Sequence, residues 1–278
     1  MDARLITAAA AMAVRLVRAY RGRLARTSTL VAIGTVLALG ITGPAYAKHK
    51  TECSLEILEG SYGYFLSGNL NGVGPVGAVG LAAFDGEGGL TAQDTLNING
   101  VTSHRTGTGS YAINPNCTGS AKVDGDYAGF AFDFMIVPGA AGSEFTFIVT
   151  NPRTIQTGFA MRTGDECTLA SLKGTYRVLG GEQPFAAVGL RILDGAGSLT
   201  SAEDTVSMNG VISHRIGRSA AYTVEQNCTA HEIFADGPTF EGVIVAGGAE
   251  AYFLRTNGPA ARVGTALYKK RSRHHDDD

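Results

Sequence analysis

The sequence predicts an all-β protein: two tandem eight-stranded antiparallel up-and-down barrels, with a pair of β-sandwiches as the alternative packing. Three observations predict it. The 278 residues include 38 glycines with no collagen period, which calls for many turns and short strands. Apolar residues alternate with polar ones over short runs, and no segment sustains helical periodicity. Long stretches of the second half match the first half residue for residue, the mark of duplication.

The elements follow in chain order. Arg15, Arg18, Arg21, Arg23 and Arg26 precede the apolar run Thr29–Leu39, which is followed by Gly43-Pro44 and Ala45-Tyr46-Ala47. A basic region, an apolar region too short to span a bilayer comfortably and an A-x-A site make a signal peptide over residues 1–47. The expected localisation is secreted, extracellular or periplasmic, with no membrane span after cleavage. Removing residues 1–47 leaves 17 basic against 24 acidic side chains, a net charge of −7. That balance argues against a nucleic-acid partner, which needs a basic patch.

The two copies are expected at residues 51–162 and 167–268, followed by a disordered charged tail over 269–278. Ala78-Val79-Gly80-Leu81 recurs as Ala187-Val188-Gly189-Leu190, and Asn99-Gly100-Val101 as Asn209-Gly210-Val211. Asn116-Cys117-Thr118 recurs as Asn227-Cys228-Thr229, and Gly60-Ser61-Tyr62 as Gly174-Thr175-Tyr176. The four cysteines fall two to a copy. In an exported chain they read as disulfides, and repetition selects Cys53–Cys117 and Cys167–Cys228 from the three pairings.

In the first copy, strands are expected near Ser61–Ser67, Val76–Phe84, Gly89–Ile98, Arg105–Ile113, Thr118–Val123, Tyr127–Val137, Ser143–Thr150 and Thr154–Arg162. Phe130, Phe132, Phe134 and Ile136 share one face of a strand. Asp85-Gly86, Asn99-Gly100, Asp124-Gly125 and Asn151-Pro152 are hairpin signals. A longer first loop, Asn69 to Val76, distinguishes copy one from Gly180 to Pro184 in copy two. Closing each meander would remove its edges.

The Gly-Ser/Thr-Tyr run, the Asp-Gly-x-Gly-x-Leu hairpin, the Asn-Gly turn and Asn-Cys-Thr resemble poorly characterised bacterial secreted repeat proteins. Their expected fold is similar to the calycin barrels, the lipocalin and avidin group. Gly60-Ser61-Tyr62 is similar to the lipocalin Gly-x-Trp, with Tyr in place of Trp. The resemblance implies a barrel and small-ligand binding, and transfers no ligand-contacting residue.

Chemistry-bearing residues are few. His104-Arg105 and His214-Arg215 recur at matched positions, and such a histidine suits a base or metal ligand. Asp94 and Asp204 also match, and the Asn99-Gly100 turn brings Asp94 toward His104, an ingredient of general-base catalysis. The plainer reading pairs each arginine with a nearby carboxylate. Ser103 and Ser213 point away from their neighbouring histidines. Asp85-Gly86-Glu87-Gly88 lacks the oxygen-ligand spacing of a calcium loop. Phe130, Phe132 and Phe134, with Arg105 and Arg215, are the candidate ligand-binding residues. No cofactor or metal is called for.

Three functions follow: a non-catalytic binding module for an apolar small ligand or a cell-surface partner, a structural envelope protein without a ligand, or a barrel isomerase or cyclase using Asp94–His104 and Asp204–His214.

Overall fold

The computed structural model describes residues 52–137, 144–181 and 185–257, with the backbone alone of 265–270. The expected signal peptide, 1–47, and residues 271–278 of the expected tail lie outside the described residues.

The described chain is all-β. Eight strands run in sequence order: β1 (Gly60–Leu70), β2 (Gly74–Phe84), β3 (Gly89–Ile98), β4 (Val101–Ile113), β5 (Thr118–Val123), β6 (Phe130–Val137), β7 (Glu144–Val149) and β8 (Thr154–Arg162). Each pairs antiparallel with the next, and β8 returns to β1, so the first sheet is a closed barrel and not a sandwich. A second curled sheet follows, with β9 (Lys173–Gly180), β10 (Phe185–Asp194), β11 (Ser198–Met208), β12 (Val211–Val224), β13 (Thr229–Phe234), β14 (Thr239–Val245) and β15 (Glu250–Arg255). Its two outer strands, β9 and β15, both pair with β16 (Thr265–Lys270). Lys269 and Lys270 therefore end a strand instead of opening the expected tail.

Turn chemistry sets the registers. Asn99 and Gly100 both have positive φ, as do Asn209 and Gly210. Two such residues make the two-residue turn whose twist matches antiparallel strands. Ile98 then pairs with Val101, and Met208 with Val211. Three expectations shift here. β4 starts at Val101, not at Arg105, because this tight turn leaves no loop. Tyr127 sits in a short 3₁₀ turn, Gly125–Tyr127, ahead of β6. The supposed first loop is mostly strand: β1 runs to Leu70 and β2 starts at Gly74, so Asn71–Val73 alone connects them.

A 3₁₀ turn precedes each sheet, Leu55–Leu58 and Leu169–Leu172, and inserts fully buried Leu58 and Leu172 into the respective cores. The hydroxyl of Tyr111 donates to the Leu55 carbonyl, and that of Tyr222 to the Leu172 carbonyl. Cystines Cys53–Cys117 and Cys167–Cys228 tie these entry segments to the β4–β5 and β12–β13 connections. They close loops of 64 and 61 residues, each stabilising by about 4 kcal/mol through unfolded-chain entropy.

The first core is aromatic. Tyr62, Phe84, Tyr111, Phe132, Phe134, Phe145 and Phe147 are buried together. Tyr62, Phe84 and Phe145 contact one another with centroids 5.5–5.8 Å apart. Two rings need glycine across the strand: a Cβ on Gly119 would stand 2.3 Å from Phe134, and one on Gly158 the same distance from Phe147. A separate apolar cluster joins the sheets. Val243, Val245, Tyr252 and Leu254 on the outside of β14–β15 bury Val79 and Leu81 on the outside of β2, with Phe65, Phe159 and Met161 against them. Asn97 Nδ2 donates to the Arg255 carbonyl at 3.2 Å and Thr102 Oγ1 to the Thr256 carbonyl at 2.8 Å, which fixes the register of this contact.

Candidate functional site

The matched aspartates are buried inside their sheets, each facing an arginine. In the first barrel, Asp94 on β3 lies opposite Arg105 on β4. On its other side is Gly80, where a Cβ would come within 2.4 Å of the Asp94 side chain. Gly189 has the same relation to Asp204, with its Cβ position 2.6 Å away. The glycine of Ala-Val-Gly-Leu is thus the space into which the carboxylate fits.

Arg105 grips Asp94 with two parallel bonds, Nε to Oδ1 at 2.9 Å and Nη2 to Oδ2 at 2.6 Å. The Tyr64 hydroxyl donates to Oδ2 at 2.8 Å and lies 3.1 Å from the Tyr127 hydroxyl. The guanidinium also stacks over the Tyr127 ring, 4.3 Å from its centroid. Burial, reinforced by the Asp94 charge, raises both the Tyr64 and the Tyr127 hydroxyl well above the ordinary tyrosine value. Burial works against the Arg105 charge, yet bonding to Asp94 outweighs it and raises its pKa further.

Asp204 is surrounded more heavily. Arg215 bonds it through Nε at 2.5 Å and Nη2 at 2.9 Å, Arg191 through Nη2 at 3.0 Å, and Arg218 stands 3.4 Å from Oδ2. Arg218 also clasps Asp236 with two 2.9 Å bonds and lies over the Phe234 ring at 4.2 Å. Burial would raise the Asp204 carboxyl; Arg215 and Arg191 together overcome it and hold the group below the usual carboxylate range. Glu232, fully buried on β13, places a further carboxylate in this interior.

The histidines go elsewhere. Register pairs His104 with Thr95 and His214 with Thr205, one residue along from the aspartates. Neighbours on a strand point to opposite faces, so each imidazole lies outside while its aspartate lies inside. Nδ1 of His104 is 3.1 Å from Thr95 Oγ1, Nδ1 of His214 is 3.0 Å from Thr205 Oγ1, and both rings are exposed. The expected Asp94–His104 and Asp204–His214 pairs therefore do not form. A carboxylate held bidentate by a permanently charged guanidinium is poorly placed to serve as a base.

Phe130 and Phe132, with Tyr64, Phe145 and Phe147, line only a narrow gap of about 30 Å³ inside the first barrel, whereas Phe134, with Phe147, also lines a concavity on the outside. Larger concavities lie outside. One of about 880 Å³ runs over the outer face of β6–β8 past Met135, Ile148 and Phe159. Another of about 760 Å³ crosses the outer face of β9–β12 past Leu179, Val188, Leu190 and Ile216. Asp85 and Asp194 spend one carboxylate oxygen on two backbone N–H groups of their own turns, which lowers their pKa.

Tyr64, Tyr127, Arg191 and Arg218 were not singled out from sequence. Arg191 could have been found: it follows the matched Ala-Val-Gly-Leu by one residue and points to the same side as Gly189, across from Asp204.

No family model matches this chain, and no curated protein does. Among solved structures, kievitone hydratase from Nectria haematococca aligns over 80% of this chain and 92% of its own, at 7% identity and a TM-score of 0.31. CghA aligns over 77% and 89%, at 10% identity and a TM-score of 0.27. A protein of unknown function of the DUF3598 family, from Nostoc punctiforme, aligns over 80% and 100%, at 10% identity and a TM-score of 0.24.

Proposed function

We propose that this chain is a secreted, non-catalytic binding module of two tandem calycin-like barrels, and that it binds a protein partner through outer sheet faces, not a small molecule through its interior. The observation that carries this reading is the contrast between a first barrel packed to a 30 Å³ gap and outer grooves of about 880 and 760 Å³ floored by apolar side chains. Small-molecule sites ordinarily enclose several hundred Å³. Two cystines support passage through an oxidising compartment. Among the described residues no helix is long and apolar enough to cross a membrane.

A polarity-sensitive dye titrated against wild type and three variants tests the reading. Leu190→Glu and Ile148→Glu each place a charge in one outer groove, and Ala92→Val narrows the interior gap. The dye signal is expected to fall with each outer substitution and to hold with Ala92→Val. A signal that survives both outer substitutions and falls with Ala92→Val would return binding to the interior.

A further inference from the structure

The contact between the two sheets uses one face from each, and each sheet carries both kinds of face. The first face, on β1–β2, presents Phe65, Val79 and Leu81. Its counterpart on β9–β10 presents Leu179, Val188 and Leu190, in the same register: Phe65 pairs with Val79, and Leu179 with Val188. The second face, on β14–β15, presents Val243, Val245 and Leu254. Its counterpart on β6–β7 presents Met135, Val137 and Ile148. Thr229 pairs with Val243 as Thr118 pairs with Met135, and Val243 pairs with Tyr252 as Met135 pairs with Thr146.

Only one of the two possible combinations is made within the chain. Val79, Leu81, Val243, Val245 and Leu254 are buried by it, whereas their counterparts on β6–β7 and β9–β10 expose 43–57% of their surface. Exposed contiguous apolar faces of this kind mark interaction surfaces.

We infer that the protein self-associates head to tail, the outer face of β6–β7 in one copy docking on the outer face of β9–β10 in the next, as β14–β15 docks on β1–β2 within the chain. This rests on the proposed outer-face binding and names its occupant as a second copy.

Charge favours the same pairing. In the internal contact, a Cβ on Gly63 would stand 2.5 Å from Val245. The residue two before Leu179, as Gly63 is two before Phe65, is Arg177, which is exposed. The position that corresponds to Val245 is Val137, whose direct cross-strand partner is Glu144. Arg177 cannot occupy the space that Gly63 leaves, since its Cβ would meet Val137 as a Cβ on Gly63 would meet Val245, so the intermolecular contact is displaced from the internal geometry, with Arg177 of one copy facing Glu144 of the next. Because the two faces differ, each bound copy leaves one of each free, so the assembly grows as a chain or closes as a ring.

Light scattering on the eluting purified protein, over concentrations rising to millimolar, tests this with Leu190→Glu and Ile148→Glu. Wild type is expected to gain mass in steps beyond a dimer. Each variant alone is expected to stay monomeric with an unchanged melting temperature, since both positions face solvent. Mixed, the two variants are expected to form a one-to-one dimer and nothing larger, because each retains the face the other has lost. Wild type that stays monomeric at millimolar concentration, a mixture that does not associate, or a dimer that survives both substitutions would each overturn the inference. Outer-face dye binding by a monomeric wild type would leave the proposed function standing while the self-association failed.

Discussion

The two sheets share strand order, turns, cystine placement and a buried aspartate gripped by an arginine, yet their interiors differ. In the first, aromatic rings supply the volume: Phe132, Phe134, Phe145 and Phe147 pack on one another, and the one ion pair, Asp94–Arg105, lies beside Tyr64, Tyr127 and Phe130. In the second, Arg191, Arg215 and Arg218 converge on Asp204, with Phe234 beneath two of the guanidinium groups. Ala82 occupies in β2 the position that Arg191 occupies in β10, one residue after the Ala-Val-Gly-Leu run. A small barrel needs a filled interior and a register fixed by something unique. In the first sheet rings fill the interior and a single ion pair fixes the register; in the second sheet Tyr176, Tyr222, Phe234 and Phe253 fill the core while converging arginines fix the register, at the cost of a buried charge balance that every member must keep.

The largest test of this contrast is Asp204→Ala. It takes from Arg191 and Arg215 the carboxylate they share, while Arg218 keeps Asp236, and removal of one partner from a buried pair typically costs about 3–5 kcal/mol. The upper end, about 5 kcal/mol, is expected here in chemical denaturation. Asp94→Ala strands only Arg105, which keeps its stacking on Tyr127, and is expected near the lower end, about 3 kcal/mol. Equal losses would mean that the extra arginines do not depend on Asp204.

The converse is Phe134→Ala. It empties the space beside Gly119 in a barrel with almost no slack, and large-to-small core changes of this kind cost about 3–5 kcal/mol. Hydrogen exchange should place the loosening in β5–β7 and leave β11–β13 protected. A loss much below 3 kcal/mol would show that the ring is not the filler its packing implies.

Acid separates the sheets more gently. Asp204 and Asp236 both titrate below the ordinary carboxylate value, Asp204 against its own burial and Asp236 through its bonds to Arg218. Stability linked to such groups is fully present above the unfolded-state pKa, about 3.9, and is lost as pH falls through the lowered folded values. The second sheet is therefore expected to lose exchange protection as pH falls below about 4, and Asp204→Asn to flatten that dependence. A second sheet no more acid-sensitive in wild type than in Asp204→Asn would remove Asp204 as the source.

Strand order and segmentation were legible because their signals are local. Alternation through Phe130–Ile136 marks an inside and an outside, and Asn-Gly marks a turn of a single type. The cystine pairing was legible because matching halves leave one equivalent choice. The Asp–His expectation failed by one residue. A two-residue turn at Asn99-Gly100 pairs Ile98 with Val101 and so carries Asp94 to Arg105, not to His104. Counting from the turn type instead of from its midpoint would have found the ion pair. The arginine cluster was less legible, because β11 and β12 change register between Leu199 and Asp204. The residue that accompanies the irregularity is Gly217, which has a positive φ inside β12 between Arg215 and Arg218, and the shift is what lets both arginines reach one carboxylate. Tyr127 was equally hidden, since its contact with Tyr64 spans 63 residues and depends on closure of the barrel.

The smallest expected effect falls on the residues that looked most chemical. His104 and His214 recur beside matched arginines, but each sits on the outer face with a threonine as its neighbour. Exposed substitutions away from caps, cores and networks change stability by less than about 0.5 kcal/mol. His104→Ala and His214→Ala, singly or together, are expected within that range, whereas Arg105→Ala, one residue along, leaves buried Asp94 without its ion partner and should cost about 3–5 kcal/mol, and Arg215→Ala, which leaves Asp204 bonded to Arg191 and Arg218, should cost less than that but more than either histidine. The comparison is internal to each dipeptide and needs no assumption about function. Were the histidines costly and the arginines silent, the facing of β4 and β12 would be reversed, and the Asp–His chemistry would return.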